Sequence, residues 1–204
     1  MPPLETPLRL GFLASHGGSN LQAILDAIIA GTLPAQARVV ISNNSQALAL
    51  ERAAAIGVPG LHLSSHTHPD ADALDQAMVD ALRAHGVALV VLAGYMRKIG
   101  PRLLAAYPRR ILNIHPALLP KFGGQGMYGM HVHQAVLAAG ERESGATIHL
   151  VDSEYDRGAI LAQQSVPVQP GDTPESLQKR VLAVEHRLYP ETLRRIALGE
   201  IRLD

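Results

Sequence analysis

The stretch that decides the fold reads LRLGFLASHGGSNLQAILDAIIAG and spans residues 8–31. Its first part, residues 8–15, is an apolar run after a proline, which predicts a β-strand. Glycine-rich residues 16–20 follow, and Gly31 ends a run in which apolar residues recur at the spacing of one helix face, at positions 21, 24, 25, 28 and 29. The segment therefore predicts a strand, a glycine-rich turn and a helix.

The same alternation continues through the first half of the chain. It predicts strands at residues 39–42 and 61–64, and helices at residues 47–56 and from residue 71 to Gly86. Residues 87–93 are seven apolar residues in succession, which is typical of a central parallel strand covered on both faces. We therefore predict an α/β fold, with a doubly wound, mostly parallel twisted sheet and helices on both faces.

The second half of the chain has a different texture. Residues 111–115 predict a short strand that ends at Pro116, and residues 120–130 form a glycine-rich loop typical of a lid or binding loop. After the loop we predict a helix, two strands and a long final helix, at residues 133–139, 146–151, 160–166 and 174–198. Since no repeat or linker interrupts the pattern, we expect a single domain over residues 1–204.

The composition excludes several classes of function. The 204 residues carry 18 basic and 18 acidic side chains, so no net charge attracts the chain to nucleic acid or to an anionic membrane. The absence of cysteine excludes disulfides, thiolate metal sites and a cysteine nucleophile. No segment resembles a signal peptide or approaches the roughly 18 apolar residues of a membrane span. We expect a soluble, cytoplasmic protein with neither a nucleic-acid nor a membrane partner.

The first glycine-rich turn is a candidate ligand site. Parallel sheets bind ligands beyond the carboxyl ends of their strands, where a helix N-terminus offers free N–H groups and a positive dipole end. Residues 17–20, Gly-Gly-Ser-Asn, suit a phosphate monoester but lack the dinucleotide fingerprint and the P-loop lysine. The alternative is a plain turn in which Ser19 or Asn20 caps the helix.

A second candidate lies at the end of the strand at residues 111–115. Alternation along a strand sends Asn113 and His115 to the same side. An amide donor beside an imidazole suits acyl or formyl transfer, because the carbonyl oxygen gains negative charge in the tetrahedral intermediate. The alternative is that both side chains are structural and bond the backbone of the following proline turn.

Two further groups of polar residues raise the question of a metal. Asp152, Glu154 and Asp156 could ligate a metal, but they lack the spacing of a calcium loop, and the alternative is a solvated acidic turn. If one of these carboxylates is instead buried near His115, it would favour the protonated form of the imidazole. His131 and His133 have no further obvious ligands and lie in no H-E-x-x-H helix. We predict no metal.

Taken together, these motifs resemble one family along nearly the whole chain: the 10-formyltetrahydrofolate-dependent glycinamide ribonucleotide transformylases, or phosphoribosylglycinamide formyltransferases. They are, in chain order, GGSNLQ at residues 17–22, VISN at 40–43, LAGYMR at 92–97, NIHPALLP at 113–120, GATIH at 145–149, DRG at 156–158 and EH at 185–186. The resemblance implies a Rossmann-like formyltransferase fold, with a phosphate-binding half of about residues 8–110 and a catalytic, folate-binding half of about residues 111–200.

The resemblance also implies a chemistry. A formyl group would pass from 10-formyltetrahydrofolate to the primary amine of glycinamide ribonucleotide, in de novo purine biosynthesis. Asn113, His115 and Asp156 match the family's catalytic residues. His115 would polarise the formyl oxygen and act as general acid, Asn113 would share the oxyanion, and Asp156 would keep His115 protonated and relay a proton. We expect the three side chains to meet in one cleft, in a monomer or homodimer.

Binding residues follow from the same resemblance. For the ribonucleotide they are Gly18, Ser19 and Asn20 in the turn, and Leu182, Ala183, Val184 and Glu185 in the last helix. For the folate they are Met96, Arg97, Lys98, Ile99 and Asn113, together with Asp152, Ser153, Glu154, Tyr155 and Asp156.

The sequence departs from the family pattern at three places. The family commonly has an arginine that contacts the folate where residues 66–71 of this chain read HTHPDA, so we assign no such contact. The loop at residues 122–130 is longer and richer in glycine than in many relatives, and Arg157 stands where a small residue is usual.

Two related enzymes use the same Asn, His and Asp set. Formyltetrahydrofolate deformylase carries an additional N-terminal domain, and methionyl-tRNA formyltransferase carries a basic C-terminal one; we expect neither here. The deformylase-like hydrolase is the first alternative to the transferase. A non-catalytic folate- or nucleotide-binding module is the second, because a fold does not fix a function.

Overall fold

The fold is built on one sheet of seven strands, in a computed structural model that describes residues 6–203. The strands are β1 (Leu8–Ala14), β2 (Ala35–Ser42), β3 (Gly60–His62), β4 (Leu89–Leu92), β5 (Ile111–His115), β6 (Glu143–Leu150) and β7 (Ile160–Pro167). Their order across the sheet is β3-β2-β1-β4-β5-β6-β7. The first five strands are parallel, and β6 and β7 extend the sheet in antiparallel register. The predicted class, a mostly parallel α/β sheet, is confirmed.

Six helices connect and cover the strands. They are α1 (Ser19–Ile29), α2 (Leu48–Ala55), α3 (Ala71–Ala84), α4 (Pro101–Ala106), α5 (Met130–Ala138) and α6 (Pro174–Ala197). Helix α4 was not predicted, because six residues are too few for an apolar period to stand out. Helix α5 begins three residues before the predicted position 133, and β2 begins four residues before position 39. The other predicted elements end within a few residues of the observed bounds, as is usual for element ends.

The two faces of the sheet carry separate apolar layers. Helices α1, α2, α5 and α6 pack on one face, and α3 and α4 pack on the other. Alternate residues of β4 divide between them, since Leu89 and Val91 face the first layer and Val90 and Leu92 the second. All four are buried, as expected for a central strand covered on both sides.

The strand order reverses between β1 and β4, so the carboxyl ends of these neighbours diverge into loops on opposite faces. Such a switch point is where open α/β sheets bind ligands. The glycine-rich turn follows β1, and the LAGYMR motif ends β4. The fold therefore brings two of the predicted binding segments side by side.

Helix α6 is the longest element and begins with a capping box between Thr173 and Ser176. Its Tyr189 is fully buried, and the hydroxyl lies 3.2 Å from the Leu92 carbonyl oxygen and 3.0 Å from that of Leu112. These carbonyls belong to β4 and β5, so α6 fixes the spacing of two strands that lead into the predicted site. Among residues 6–203 no helix combines the length and apolar character needed to cross a membrane.

Candidate active site

Strand β5 presents the two predicted polar side chains at its carboxyl end. Asn113 pairs with His149 across the antiparallel ladder, and His115 pairs with Thr147. Because Asn113 and His115 are two residues apart on a strand, they share one side, as predicted. The His115 side chain is nearly buried, at 3% exposed.

Asp156 reaches His115 from the loop between β6 and β7. The distance from Asp156 Oδ2 to His115 Nδ1 is 3.5 Å. Asp156 has a φ of +56°, a left-handed conformation that aspartate tolerates better than most residues, and the Gly124 N–H donates to its Oδ2 at 2.9 Å. The other ring nitrogen of His115, Nε2, donates to the Phe122 carbonyl at 2.7 Å. The glycine-rich loop therefore holds both members of the pair.

His149 completes the cluster, although we did not predict it from the sequence. Its Nδ1 donates to the Leu150 carbonyl at 2.9 Å, and its Nε2 lies 3.1 Å from the Asn113 amide nitrogen. The same Nε2 lies 3.4 Å from Asp156 Oδ1. The sequence contains a signal for it. His149 lies in the strand predicted at residues 146–151, and the side-chain alternation used for Asn113 and His115 applies to that strand as well. Asn113, His115, His149 and Asp156 thus form one polar cluster.

Burial and neighbouring charges shift the pKa values of His115 and Asp156 in opposite directions. Burial lowers the pKa of His115, and this effect outweighs the nearby Asp156 carboxylate, which raises it. Asp156 therefore favours the protonated form of His115, but burial of the ring opposes it more strongly. Burial alone would raise the pKa of Asp156, but the contacts with His149, His115 and the Gly124 N–H together lower it. The favoured pair is a neutral imidazole beside an ionised carboxylate.

The glycine-rich turn leads directly into α1. Gly18 is the N-cap residue, with a φ of +64°, and no side chain among residues 6–203 caps the helix. A Cβ on Gly18 would lie 2.9 Å from the Ala49 Cβ, so this position requires glycine on grounds of both conformation and space. The plain alternative, a cap by Ser19 or Asn20, is wrong. The first amides of α1 remain available to an anion.

A cation that we did not predict supports the same turn. Arg52 of α2 donates from Nε to the Gly17 carbonyl at 2.8 Å and from Nη1 to Gln22 Oε1 at 2.7 Å. The guanidinium therefore fixes the turn and adds positive charge beside it. A single arginine far along the chain gives no signal in the sequence, since only the tertiary structure brings α2 to the turn.

Helix α6 contributes Glu185 to the same region. The Asn20 amide donates to Glu185 Oε2 at 2.6 Å, and the Glu185 side chain is buried. Burial raises the pKa of Glu185, while the bond from Asn20 acts in the other direction. Of the neighbouring residues predicted to contact the ribonucleotide, Val184 lies in the apolar core and can reach a ligand only through its backbone, Leu182 is half-buried, and Ala183 is exposed.

The two predicted folate segments are largely exposed and approach each other at one side-chain contact. Met96, Arg97 and Lys98 are exposed, whereas Ile99 is buried in the core. On the opposite segment Asp152, Ser153, Glu154 and Tyr155 are exposed. The Lys98 ammonium lies 5.7 Å from the centre of the Tyr155 ring, a cation–π contact that links the segments.

A cavity of about 560 Å³ adjoins the first segment. Arg97, Lys98 and Asn43 line it, together with His66 and Ala71 from the stretch that departs from the family pattern. Asp72 and Asp75 of α3 also line the cavity, so its cationic side chains come from the Met96–Ile99 segment and the start of α3 supplies carboxylates.

The acidic and histidine groups considered for a metal do not converge. Asp152 and Glu154 are exposed while Asp156 points inward to His115. His131 is exposed, 5.1 Å from the Tyr128 ring centre, whereas His133 is buried. Within residues 6–203 no group of three or more His, Asp or Glu side chains is arranged to hold a metal ion.

Comparison with known proteins places this arrangement in a family. The formyl transferase family model matches residues 8–193. A chloroplastic phosphoribosylglycinamide formyltransferase of Arabidopsis thaliana is 45% identical over 95% of this chain and 67% of its own length. The phosphoribosylglycinamide formyltransferase of Haemophilus influenzae is 36% identical over 96% of this chain and 90% of its own length.

Solved structures give the same result for the fold. Glycinamide ribonucleotide transformylase 1 from Symbiobacterium toebii superposes with a TM-score of 0.88 and 46% identity, over 94% of this chain and 88% of that one. The chain spans 62% of a second plant relative, from Vigna unguiculata, and 14% of an insect trifunctional purine biosynthetic protein. Because the family model covers most of the chain and the bacterial relative matches nearly end to end, this chain belongs to the formyl transferase family, among the phosphoribosylglycinamide formyltransferases.

Proposed function

We propose that this chain transfers the formyl group of 10-formyltetrahydrofolate to the primary amine of glycinamide ribonucleotide, a step of purine biosynthesis. The observation that carries the proposal is the meeting of Asn113, His115 and Asp156 in one cluster, with His115 Nδ1 3.5 Å from Asp156 Oδ2. Family membership supplies the reaction class, and the cluster supplies groups suited to it.

The reaction requires a balanced movement of one proton. The substrate amine attacks the formyl carbon, and the carbonyl oxygen becomes an oxyanion. Collapse of this intermediate breaks the bond from the formyl carbon to N10 of the folate, so the amine loses a proton and N10 gains one. The Asn113 amide is a donor suited to the oxyanion, and the His115 ring becomes a second donor once its Nδ1 has gained a proton. Asp156, held ionised, is suited to carry the proton and to stabilise an imidazolium when His115 accepts one.

The tautomer of His115 determines which edge of the ring can act. Its Nε2 proton is committed to the Phe122 carbonyl at 2.7 Å. The Nδ1 edge faces Asp156 at 3.5 Å, longer than the roughly 2.7–2.9 Å of a charge-assisted hydrogen bond. Nδ1 is therefore the position at which we expect the proton to be gained and passed on.

The remaining contacts support the proposed substrates. The amides at the start of α1 and the Arg52 guanidinium suit a phosphate monoester, and the buried Glu185 suits ribose hydroxyl groups. The exposed segments at residues 96–98 and 152–155 suit an extended folate between them. We assign the phosphate-binding role to about residues 8–110 and the catalytic role to about residues 111–200, acting together as one domain on one continuous sheet.

A spectroscopic transfer assay tests the proposal. The protein is mixed with 10-formyltetrahydrofolate, with and without glycinamide ribonucleotide, and loss of the formyl donor is followed. Turnover that depends on the ribonucleotide supports the transferase. Turnover without the amine would identify a deformylase-like hydrolase, and folate binding without turnover would identify a non-catalytic module.

A further inference from the structure

One buried serine connects the end of β1 to the first predicted folate segment. Ser15 directly follows β1 and precedes the glycine-rich turn, and it is 1% exposed. We infer that Ser15 is a positioning residue for the Met96–Ile99 segment and thereby sets the affinity for the formyl donor. The inference rests on the proposed function, because it assigns to that segment the folate that the function requires.

The Ser15 hydroxyl makes two hydrogen bonds, one as donor and one as acceptor, to two different loops. It donates to Asn43 Oδ1 at 2.6 Å and accepts from the Met96 backbone N–H at 2.8 Å. A hydroxyl has one proton, so donation to Asn43 turns a lone pair toward Met96. The bond donated to Asn43 therefore orients the hydroxyl to accept the bond from the Met96 N–H.

The bond between the Ser15 hydroxyl and the Met96 N–H lies where the backbone pairing of β1 with β4 ends. The Ser15 backbone N–H donates to the Gly94 carbonyl at 3.1 Å, and Gly94 has a φ of +78°, which turns the chain out of β4. The Met96 N–H then bonds a side chain instead of a neighbouring strand. Met96, Arg97 and Lys98 are exposed beyond this point, so the Ser15 hydroxyl is the anchor at the entry to the segment.

The exit of the segment has an anchor of its own. Ile99 is buried in the core, and the Arg102 N–H at the start of α4 donates to Asp75 Oδ2 at 2.7 Å. A Cβ on Gly100 would lie 2.2 Å from the Asp75 carboxylate, so this carboxylate packs directly on the backbone. With the exit fixed in this way, loss of the Ser15 hydroxyl would free only the entry and leave the sheet intact.

Steady-state kinetics of Ser15→Ala tests the inference. We expect the KM for 10-formyltetrahydrofolate to rise about 10-fold, because the Met96 N–H loses its acceptor, while kcat stays within about threefold of the wild type. The matched control is Ser144→Ala, which removes a buried hydroxyl with no partner among residues 6–203 and is expected to leave both constants unchanged. Ser15→Thr retains the hydroxyl and is expected to restore the KM. An unchanged KM in Ser15→Ala, or an equal fall of kcat in both alanine variants, would overturn the inference.

Hydrogen exchange of the ligand-free protein provides a readout that needs no substrate. In Ser15→Ala we expect faster exchange in peptides covering residues 94–99 and unchanged exchange in β1 and β4. Exchange equal to that of the wild type in residues 94–99 would refute the positioning role. If the wild type fails to turn over glycinamide ribonucleotide, the proposed function fails, and hydrogen exchange still decides whether Ser15 holds the segment.

Discussion

His115 Nδ1 and Asp156 Oδ2 lie 3.5 Å apart, with side chains that are only 4% and 11% exposed. The imidazole belongs to the last residue of β5. The carboxylate belongs to the loop between β6 and β7, where Asp156 has a left-handed backbone conformation. In such a sheltered pair, each group responds strongly to the charge of the other. The first two predictions test this relationship.

Replacement of His115 by alanine removes the ring that is proposed to stabilise the oxyanion and transfer the proton. We expect kcat to fall by about 100-fold or more, with substrate affinity largely retained. Steady-state kinetics checks the result, and circular dichroism checks the fold. His131→Ala, an exposed histidine outside the cluster, is the control and is expected to keep wild-type kcat. Wild-type turnover in His115→Ala would exclude the assigned role.

Replacement of Asp156 by asparagine removes the charge and keeps the shape. Asparagine also tolerates the positive φ at this position, so the loop is expected to remain in place. Because the carboxylate raises the pKa of His115, its loss should lower that pKa further, and kcat should fall at least about 10-fold. Titration of the His115 ring by NMR measures the first effect. A pKa equal to or above the wild-type value would contradict the electrostatic coupling.

Replacement of Gly18 by alanine perturbs the turn proposed to bind phosphate. The new Cβ would be strained by the positive φ and would lie 2.9 Å from the Ala49 Cβ. We therefore expect the KM for glycinamide ribonucleotide to rise at least about 10-fold and the free energy of unfolding to fall by about 1–3 kcal/mol. Gly17→Ala is the matched control, since a Cβ there meets nothing within 4 Å. If the two variants behave alike in kinetics and denaturation, the turn is not constrained as described.

Protonation of His133 should destabilise the fold at low pH. Burial lowers its pKa, and the nearby His115 lowers it further. A lowered histidine pKa means that the unfolded chain binds the proton more readily, so stability is full above the unfolded pKa of about 6.5 and is lost as pH falls below it. Urea denaturation between pH 7.5 and 5.5 should show a steeper loss for the wild type than for His133→Gln. Parallel pH profiles would assign the loss to other groups.

The sequence predicted those parts of the structure that depend on local patterns. The turn after β1 and the strand ending in Asn113 and His115 are examples, because apolar periodicity and glycine placement are properties of neighbouring residues. The reversed direction of β6, which runs opposite to both β5 and β7, was not predicted, since the direction of a strand in a sheet depends on how its connections cross the fold. Arg52 was missed for the same reason, since only tertiary contacts bring it to the turn, whereas His149 lies in a predicted strand whose alternation we did not apply to it.

Two features of the site depend on burial, which local sequence patterns do not give. The protonation of His115 was inferred from a neighbouring charge alone, whereas the amount of water excluded from the ring depends on the loop around Phe122 and Gly124. Val184 was assigned to substrate binding through its neighbours in the sequence, but a helix turns each successive side chain by about 100°, which places this one in the core.

The Tyr189 hydroxyl lies within hydrogen-bond distance of two backbone carbonyls. One belongs to Leu92, the last residue of β4, and the other to Leu112, the residue before Asn113. Helix α6, which is synthesised after all seven strands of the sheet, thus fixes the starts of the loops that follow β4 and β5. A nascent chain that has not yet formed α6 lacks these two hydrogen bonds, so competence for catalysis is expected only after α6 has been synthesised and packed.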